Sequence, residues 1–515
     1  MSSTATTAAS VTVSAETGEQ TSPQRATTTQ QADVAIIGAG VAGCALAVAL
    51  GRQGRRVLLL ERSLAEPDRI VGELLQPGGV RALEKLGLQD CLEGIDAVKC
   101  TGYTVIYHGK PELLPYPAEK DKNGVEKGPA PEGRSFHHGR FIMKLREAAR
   151  ATPNVTIVET MVTGLIKQGE QQAGPHPPNG DDDENRVIGV ETTSKTGETE
   201  RFFAAVTVVA DGYASKFRRE YHPHQPRVKS RFWGLEMIDA KLPTPYHGHV
   251  LIGDGAKSGP VLMYQIGARE TRALIDIPEH VAAAASAAAQ SSGDNGALAG
   301  IKSHMRNVVL PSLPECVQPA FKAALDSGRL RSMPNSFLPS ATVRARGLII
   351  LGDALNMRHP LTGGGMTVAF NDVVLLRELL APERIPSLSD ADEVARAMRT
   401  FHWRRKQAAS VINILAQALY SLFAADDENL RILQRGCFRY FELRYHETPV
   451  ALLGGLIQRP TTLIYHFFAV AFLAVGVMFS ELPWYRWPLA LGRAVAVLWT
   501  SCVVIMPYVF VELRR

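Results

Sequence analysis

Apolar residues along this chain fall into short continuous runs that end at glycines, the pattern of strands buried on both faces of a sheet. Leu348 to Leu351 is one such run, and it ends in Gly352-Asp353. That places a carboxylate at the carboxyl end of a strand, the edge where open α/β sheets bind ligands. Pro360 then breaks the chain, and Gly363-Gly364-Gly365 and Met366 precede a helical pattern beginning near Thr367. Bare backbone N–H groups at a helix start favour an anion. Alone, this stretch predicts either a nucleotide-type ligand or a glycine hinge.

A second run, Asp33 to Ile37, passes directly into Gly38-Ala39-Gly40-Val41-Ala42-Gly43. Small residues from Cys44 to Leu50 read as a helix, and Arg56 to Leu60 as the next strand, closed by Glu61. Strand, GxGxxG, helix, strand and terminal acid together predict a dinucleotide site. Gly38 allows the tight turn, Gly40 the approach of the pyrophosphate, and Gly43 the packing of helix on strand. Glu61 suits a ribose hydroxyl and disfavours the extra phosphate of NADP. The unit does not choose between FAD and NAD. A third strand, Val206 to Ala210, leads into Asp211-Gly212.

The remaining pattern sets the organisation. Residues 1–32, rich in Ser, Thr and Ala, are expected to be a disordered tail without a signal peptide or membrane helix. Tyr103 sits in an alternating strand, Thr101 to Tyr107, and Lys110 to Gly133 reads as an excursion. A helix is expected from about Gly139, with Arg140 in its first turn. A cation at that end opposes the helix dipole, so Arg140 is either paired with an anion such as phosphate or on the surface. Gly169 to Asn185 is an acidic loop. Strands over Phe232–Ile238, Val261–Ile266 and Arg272–Ile277, with an Ala/Ser/Gly-rich insertion at 281–300, predict a sheet covering the substrate. Beyond residue 385 the chain reads as helical. Two charge-free windows, Leu463–Ser480 and Ala494–Val511, flank Trp484, Arg486, Trp487 and Arg493. Pro507 and the arginines favour two short helices dipping into one leaflet; two spans or a buried hairpin are the alternatives.

Composition narrows this further. The net charge of +5 over 515 residues gives no case for nucleic acid, and 21% charged residues suits membrane contact. Six cysteines lack metal or disulfide spacing, which predicts reduced thiols facing the cytosol. The histidine pairs 137/138, 222/224 and 247/249 lack accompanying ligands, so no metal is expected.

With its three fingerprints in order, the chain resembles the class A FAD-dependent monooxygenases of hydroxybenzoate hydroxylase type. More narrowly it resembles the squalene monooxygenase (squalene epoxidase) family, from about residue 33 to the end. Glu66-Pro-Asp-Arg-Ile-Val-Gly-Glu73, Phe136-His-His-Gly-Arg-Phe-Ile-Met143 and Asn356-Met-Arg-His-Pro-Leu-Thr-Gly-Gly-Gly365 carry that match, with Asn413 to Tyr420 and His466 to Val470 extending it.

The resemblance implies an α/β fold: a Rossmann-like FAD-binding domain in two parts (33–219 and 336–384), a β-sheet substrate domain (220–335), a helical region (385–449) and membrane-associated helices (450–515). It implies that Gly38, Gly40, Val41, Ala42 and Gly43 take the FAD pyrophosphate, and Glu61 and Arg62 the adenosine side. Arg69 and Arg140 fall to phosphate or ribose, Asp353 to the ribityl or pyrophosphate region, and Gly363 to Met366 to the flavin ring. Glu73, Asp211 and Gly212 complete the cofactor set, and Tyr103 with Gln76 forms the polar pair beside the flavin. A flavin hydroperoxide would pass oxygen from O2 to squalene. With one GxGxxG in the chain, electrons would come from a separate NADPH-dependent cytochrome reductase, at an endoplasmic reticulum or microsomal membrane facing the cytosol. Some family members carry an N-terminal membrane segment, which this chain is not expected to have. The rivals are another flavoenzyme of this fold, such as a prenyl-chain reductase or aromatic hydroxylase, and a prenyl-protein chaperone.

Overall fold

A computed structural model describes residues 30–121, 123–171, 185–253, 258–291, 297–425 and 427–513. The N-terminal tail up to residue 29 and most of the acidic loop therefore lie outside the described residues.

The cofactor sheet is built on β1 (Gln30–Ile37), flanked in parallel by β2 (Val57–Glu61) and β11 (Thr199–Val209). Its order is β8 (Val155–Glu159), β2, β1, β11, β10 (Val187–Thr193), β9 (Met161–Lys167), with β17 (Leu348–Ile350) also pairing with β11. β1 starts at Gln30, earlier than the expected tail boundary, because the long β11 gives Gln30–Ala32 partners at Phe202–Ala204. Helices α1 (Val41–Gly51), α2 (Pro77–Leu86) and α3 (His138–Ala151) cover this sheet. A Cβ on Gly43 would meet the Gly38 carbonyl oxygen at 1.9 Å, so only glycine lets α1 rise this close to the β1 turn.

A second sheet runs in the order β16 (Arg331–Phe337), β12 (Arg227–Ile238), β15 (Glu270–Pro278), β14 (Val261–Gln265), β13 (His247–Ile252), β5 (Gly102–Tyr107), β6 (Lys110–Pro115). This second sheet thus takes 102–115 from within the segment expected to bind the cofactor, since β5 pairs in parallel with β13. The start of the expected excursion is β6, a true edge strand. β3 (Leu74–Leu75), β7 (Gly133–Ser135) and β4 (Val98–Cys100) form a small third sheet between the two. α4 (Arg218–Tyr221) leads from the cofactor sheet into β12, and α5 (Glu279–Ser291), α6 (Ala297–His304) and α7 (Gln318–Ser327) occupy the predicted insertion and its continuation.

The chain then returns through α8 (Gly365–Leu379) to α9 (Ala391–Phe423), α10 (Glu428–Glu442), α11 (Glu447–Leu453), α12 (Pro460–Ser480) and α13 (Trp487–Leu513). The short-helix expectation fails here. α12 has 21 residues and α13 has 27, about 31 and 40 Å at 1.5 Å per residue. Among the described residues, Pro460–Ser480 and Ala490–Leu513 are therefore long and apolar enough to cross a membrane. Pro507 lies inside α13 without ending it, and Arg493 pairs with Glu428 of α10. Tyr465, Phe472, Val495 and Trp499 remain more than half exposed.

The tail is also stitched into the catalytic body. Gly78 N–H donates to the Gly454 carbonyl at 2.8 Å, and a Cβ on Gly78 would stand 2.5 Å from the Gly455 oxygen. The segment after 450 therefore packs directly against the start of α2.

Candidate functional site

Between the two large sheets lies a cavity of about 820 Å3. One end is made by the β1–α1 turn. α1 begins at Gly40 with neither a side-chain cap nor an acid in its first turn, so its N–H dipoles face the cavity unopposed. Val41 and Ala42 line the wall, while Gly43 stays behind it as packing. Glu61 Oε2 accepts from Ala39 N–H at 2.8 Å, which fixes the acid at the end of β2. Arg62 and Arg69 line the mouth, with the Arg69 guanidinium 5.3 Å above the Tyr213 ring.

Arg140 is not on this wall. It is partly exposed, 3.8 Å from Asp96. A helix turns 100° per residue, so Arg140 points about 200° away from Ile142, which does line the cavity. Arg146, one turn beyond Ile142, is the buried cation instead. It donates to the carbonyls of Ala39 and Ala65 at 3.0 Å each and lies 3.7 Å from Glu61. A lone Arg on the apolar face of α3 was its sequence signal.

Asp211 and Gly212 follow β11 into the cavity, and burial raises the Asp211 carboxyl above its ordinary range. Its Oδ1 is buried without a protein partner, so it is available to a ligand donor. Asp353, Gly363, Gly365 and Met366 line the far side; Gly364 turns toward Ile412 of α9. Glu73 lines the cavity as well, but its carboxylate already has a protein partner. Its carboxylate is held by Arg272 Nε and Nη2 at 2.8 and 2.9 Å, because a buried anion needs a cation.

Tyr103 and Gln76 do meet. Gln76 Nε2 donates to the Tyr103 hydroxyl and, at 2.7 Å, to the Thr362 carbonyl. Sequence reasoning missed the third member, Tyr116, whose hydroxyl donates to Gln76 Oε1 at 2.6 Å from just beyond β6. Tyr103 lines the cavity, Gln76 stands behind it, and burial lifts both phenols above their ordinary range.

These groups fit a long dinucleotide: unopposed N–H groups for a diphosphate, acids at Glu61 and Asp353 for hydroxyls, and an unsatisfied Asp211 oxygen. Two large sheets with such a site between them make up the fold of the flavin-dependent monooxygenases. The structure of p-nitrophenol 4-monooxygenase from Pseudomonas putida matches it at TM-score 0.62 and 17% identity, over 83% of this chain and 99% of that one.

Residues 33–68 match the FAD dependent oxidoreductase family model, and residues 203–492 match that of squalene epoxidase. The squalene epoxidase of Aspergillus fumigatus is 62% identical over 93% of this chain and 94% of its own. Squalene monooxygenase of Mus musculus is 43% identical over 94% of this chain and 78% of its own. The chain belongs to the squalene epoxidase family and is an FAD-dependent monooxygenase.

Proposed function

We propose that the enzyme converts squalene to (S)-2,3-oxidosqualene for a sterol of ergosterol type, with electrons from a separate NADPH-dependent reductase. The carrying observation is the chemistry of the cavity wall on the substrate sheet. Its side chains are His249, Val250, Leu262, Tyr264, Leu274, Met333, Pro334 and Ser336, with no Lys, Arg, Asp or Glu among them. A carboxylated aromatic substrate would need a cation there; a hydrocarbon needs none.

Bound FAD supplies the activation of dioxygen and the delivery of one oxygen atom. The chain's own work is positioning and exclusion of water. Gly365 and Met366 present the start of α8 to the ring edge, and Asp353 and Glu61 hold hydroxyls. Tyr103, kept neutral by burial, orders the wall through Gln76 and Tyr116.

The apolar cluster containing Tyr103, Leu262 and Leu274 continues through Phe438 and Phe441 to Val470 and Leu473 of α12. That continuity supports delivery of substrate from the bilayer. The last turn of α13 is buried against α9, so the helix pair hugs the catalytic body. A full crossing would drag that body into hydrocarbon, which supports attachment to one leaflet, at the cytosolic face of the endoplasmic reticulum. All six cysteines are unpaired, as a reducing compartment requires.

The test is product analysis with the purified full chain, squalene, O2, NADPH and an NADPH-dependent cytochrome reductase. Oxidosqualene should form with the reductase and not without it. An unreacted squalene pool in the complete, FAD-loaded mixture overturns the reading.

A further inference from the structure

The last turn of α13 ends among buried charges. Glu512 is 8% exposed, and its Oε1 accepts from Asn413 Nδ2 at 2.9 Å. The adjacent Val511 carbonyl accepts from Lys406 Nζ at 3.2 Å. Lys406 and Asn413 stand two turns apart on α9, so one face of that helix holds the end of α13 at two points.

Next to Lys406, Arg405 reaches the other way. Its Nε and Nη2 donate to the Asp372 carboxylate of α8 at 3.0 and 2.9 Å, and Nη2 also reaches Asn356 Oδ1 at 3.5 Å. Arg358 Nη2 donates to the same Asn356 oxygen at 2.9 Å, and its Nη1 to the Gly365 carbonyl at 3.5 Å. Gly365 lines the cofactor cavity, as do Arg358 and Asp353. Neighbouring residues of α9, Lys406 and Arg405, thus hold the end of the membrane-associated helix on one side and the contacts to the flavin loop on the other.

Charge explains why Glu512 matters there. Arg358, Arg405 and Lys406 are buried cations, and Asp372 and Glu512 the buried anions, with Asp353 at the cavity edge. Arg218 is a further buried cation facing Asp353, so these three anions are outnumbered, and one of them comes from the last described turn of the chain. Removing it leaves an uncompensated buried cation beside the loop that receives the cofactor.

We propose that Glu512 is a positioning residue for the flavin loop: it ties the membrane-associated α13 to Arg405, Arg358 and Gly365, so that seating of that helix and binding of FAD are one coupled event. This rests on the flavin site described above. Charge balance separates coupling from mere contact and sets the test.

The full chain in detergent, stripped of flavin, is titrated with FAD by flavin fluorescence. Liposome pelleting is measured alongside, and circular dichroism checks the fold. E512Q should weaken FAD binding by roughly tenfold, within the range typical of coupled sites, while pelleting with liposomes stays native. K406M/E512Q restores charge balance and should bring FAD affinity back to within about twofold of native. A merely structural tether predicts the opposite, because the double variant loses both grips on α13. Native FAD affinity in E512Q overturns the proposal, as does lost pelleting with unchanged FAD binding. Should E512Q fail to fold, the double variant decides: near-native affinity supports the coupling, and failure to recover it overturns the proposal.

Discussion

Glu73 and Arg272 form a bidentate ion pair at 2.8 and 2.9 Å, both almost wholly buried, joining the segment after the dinucleotide motif to β15 of the substrate sheet. Breaking one partner strands the other. Arg272→Met should therefore lower unfolding stability by about 3–5 kcal/mol, with apparent FAD loss following from loosened sheets. The double change Glu73→Leu/Arg272→Met should recover much of it. Thermal unfolding in detergent checks this, and a single variant as stable as native would show the pair to be idle.

Asp353→Ala removes an acceptor at the carboxyl end of β17, inside the cavity. Leaving cofactor donors unpaired is worth about 1–3 kcal/mol, or roughly ten- to a hundredfold in FAD affinity. The measurement is flavin retained after dialysis at submicromolar protein. Stoichiometric flavin in the variant would remove Asp353 from the site.

Tyr103→Phe deletes one hydroxyl from the Gln76–Tyr103–Tyr116 network. Gln76 keeps Thr362 and Tyr116 as partners, so fold and FAD content should persist. Turnover should fall by up to about tenfold, the worth of one net hydrogen bond. An unchanged kcat at matched flavin occupancy would reduce Tyr103 to a wall residue.

His138 and His249 are each brought down to about 4, burial being the main cause. Both are neutral in the fold below the pH at which the unfolded chain takes up protons. The unfolded state then binds more protons, so stability falls as pH drops from about 6.5 toward 4, by up to about 1.4 kcal/mol per pH unit for each group. His249→Gln keeps an acceptor for Thr244 N–H, now at 3.1 Å, and should flatten the slope. Denaturant unfolding between pH 7 and 5 measures it; equal slopes in the two proteins would refute the assignment.

The cofactor half of this site was legible because its chemistry is local. β1, the glycine turn, Glu61 and Asp353 are each fixed by neighbours in sequence, and all reappear at the cavity. What failed was what depends on helix phase or on distant partners. Arg140 and Arg146 lie on one helix, and only the direction of its apolar face separates the one on the surface from the one at the cavity. Glu73 does reach the cavity, but its partner, Arg272, is far along the chain and gave no signal. Tyr116 and Glu512 gave no signal at all, since each acquires its meaning from a contact across the fold.

The segment beyond residue 450 is where sequence and structure part most sharply, and it sets the last prediction. The apolar windows read as membrane-associated helices lying beyond the cofactor motifs. Gly454 and Gly455 instead seal the start of α2, next to Gln76, and Glu512 sits in the charged cluster below the flavin loop. A chain cut at 450 should accordingly lose FAD as well as membrane attachment. To separate the two, the exposed faces must be changed without touching the buried ones. Phe472, Val495 and Trp499 are 62%, 68% and 70% exposed and point away from the body. Replacing all three with serine removes apolar area worth about 25 cal/mol per Å2 from any contact with lipid, but removes little from the core. That variant should keep stoichiometric FAD and turn over detergent-supplied squalene at a near-native rate. It should pellet less with liposomes and act poorly on squalene delivered in them. If it pellets like the native chain in high salt, these faces are not the membrane contact. If the 450 truncation keeps its flavin, the tail is a detachable anchor.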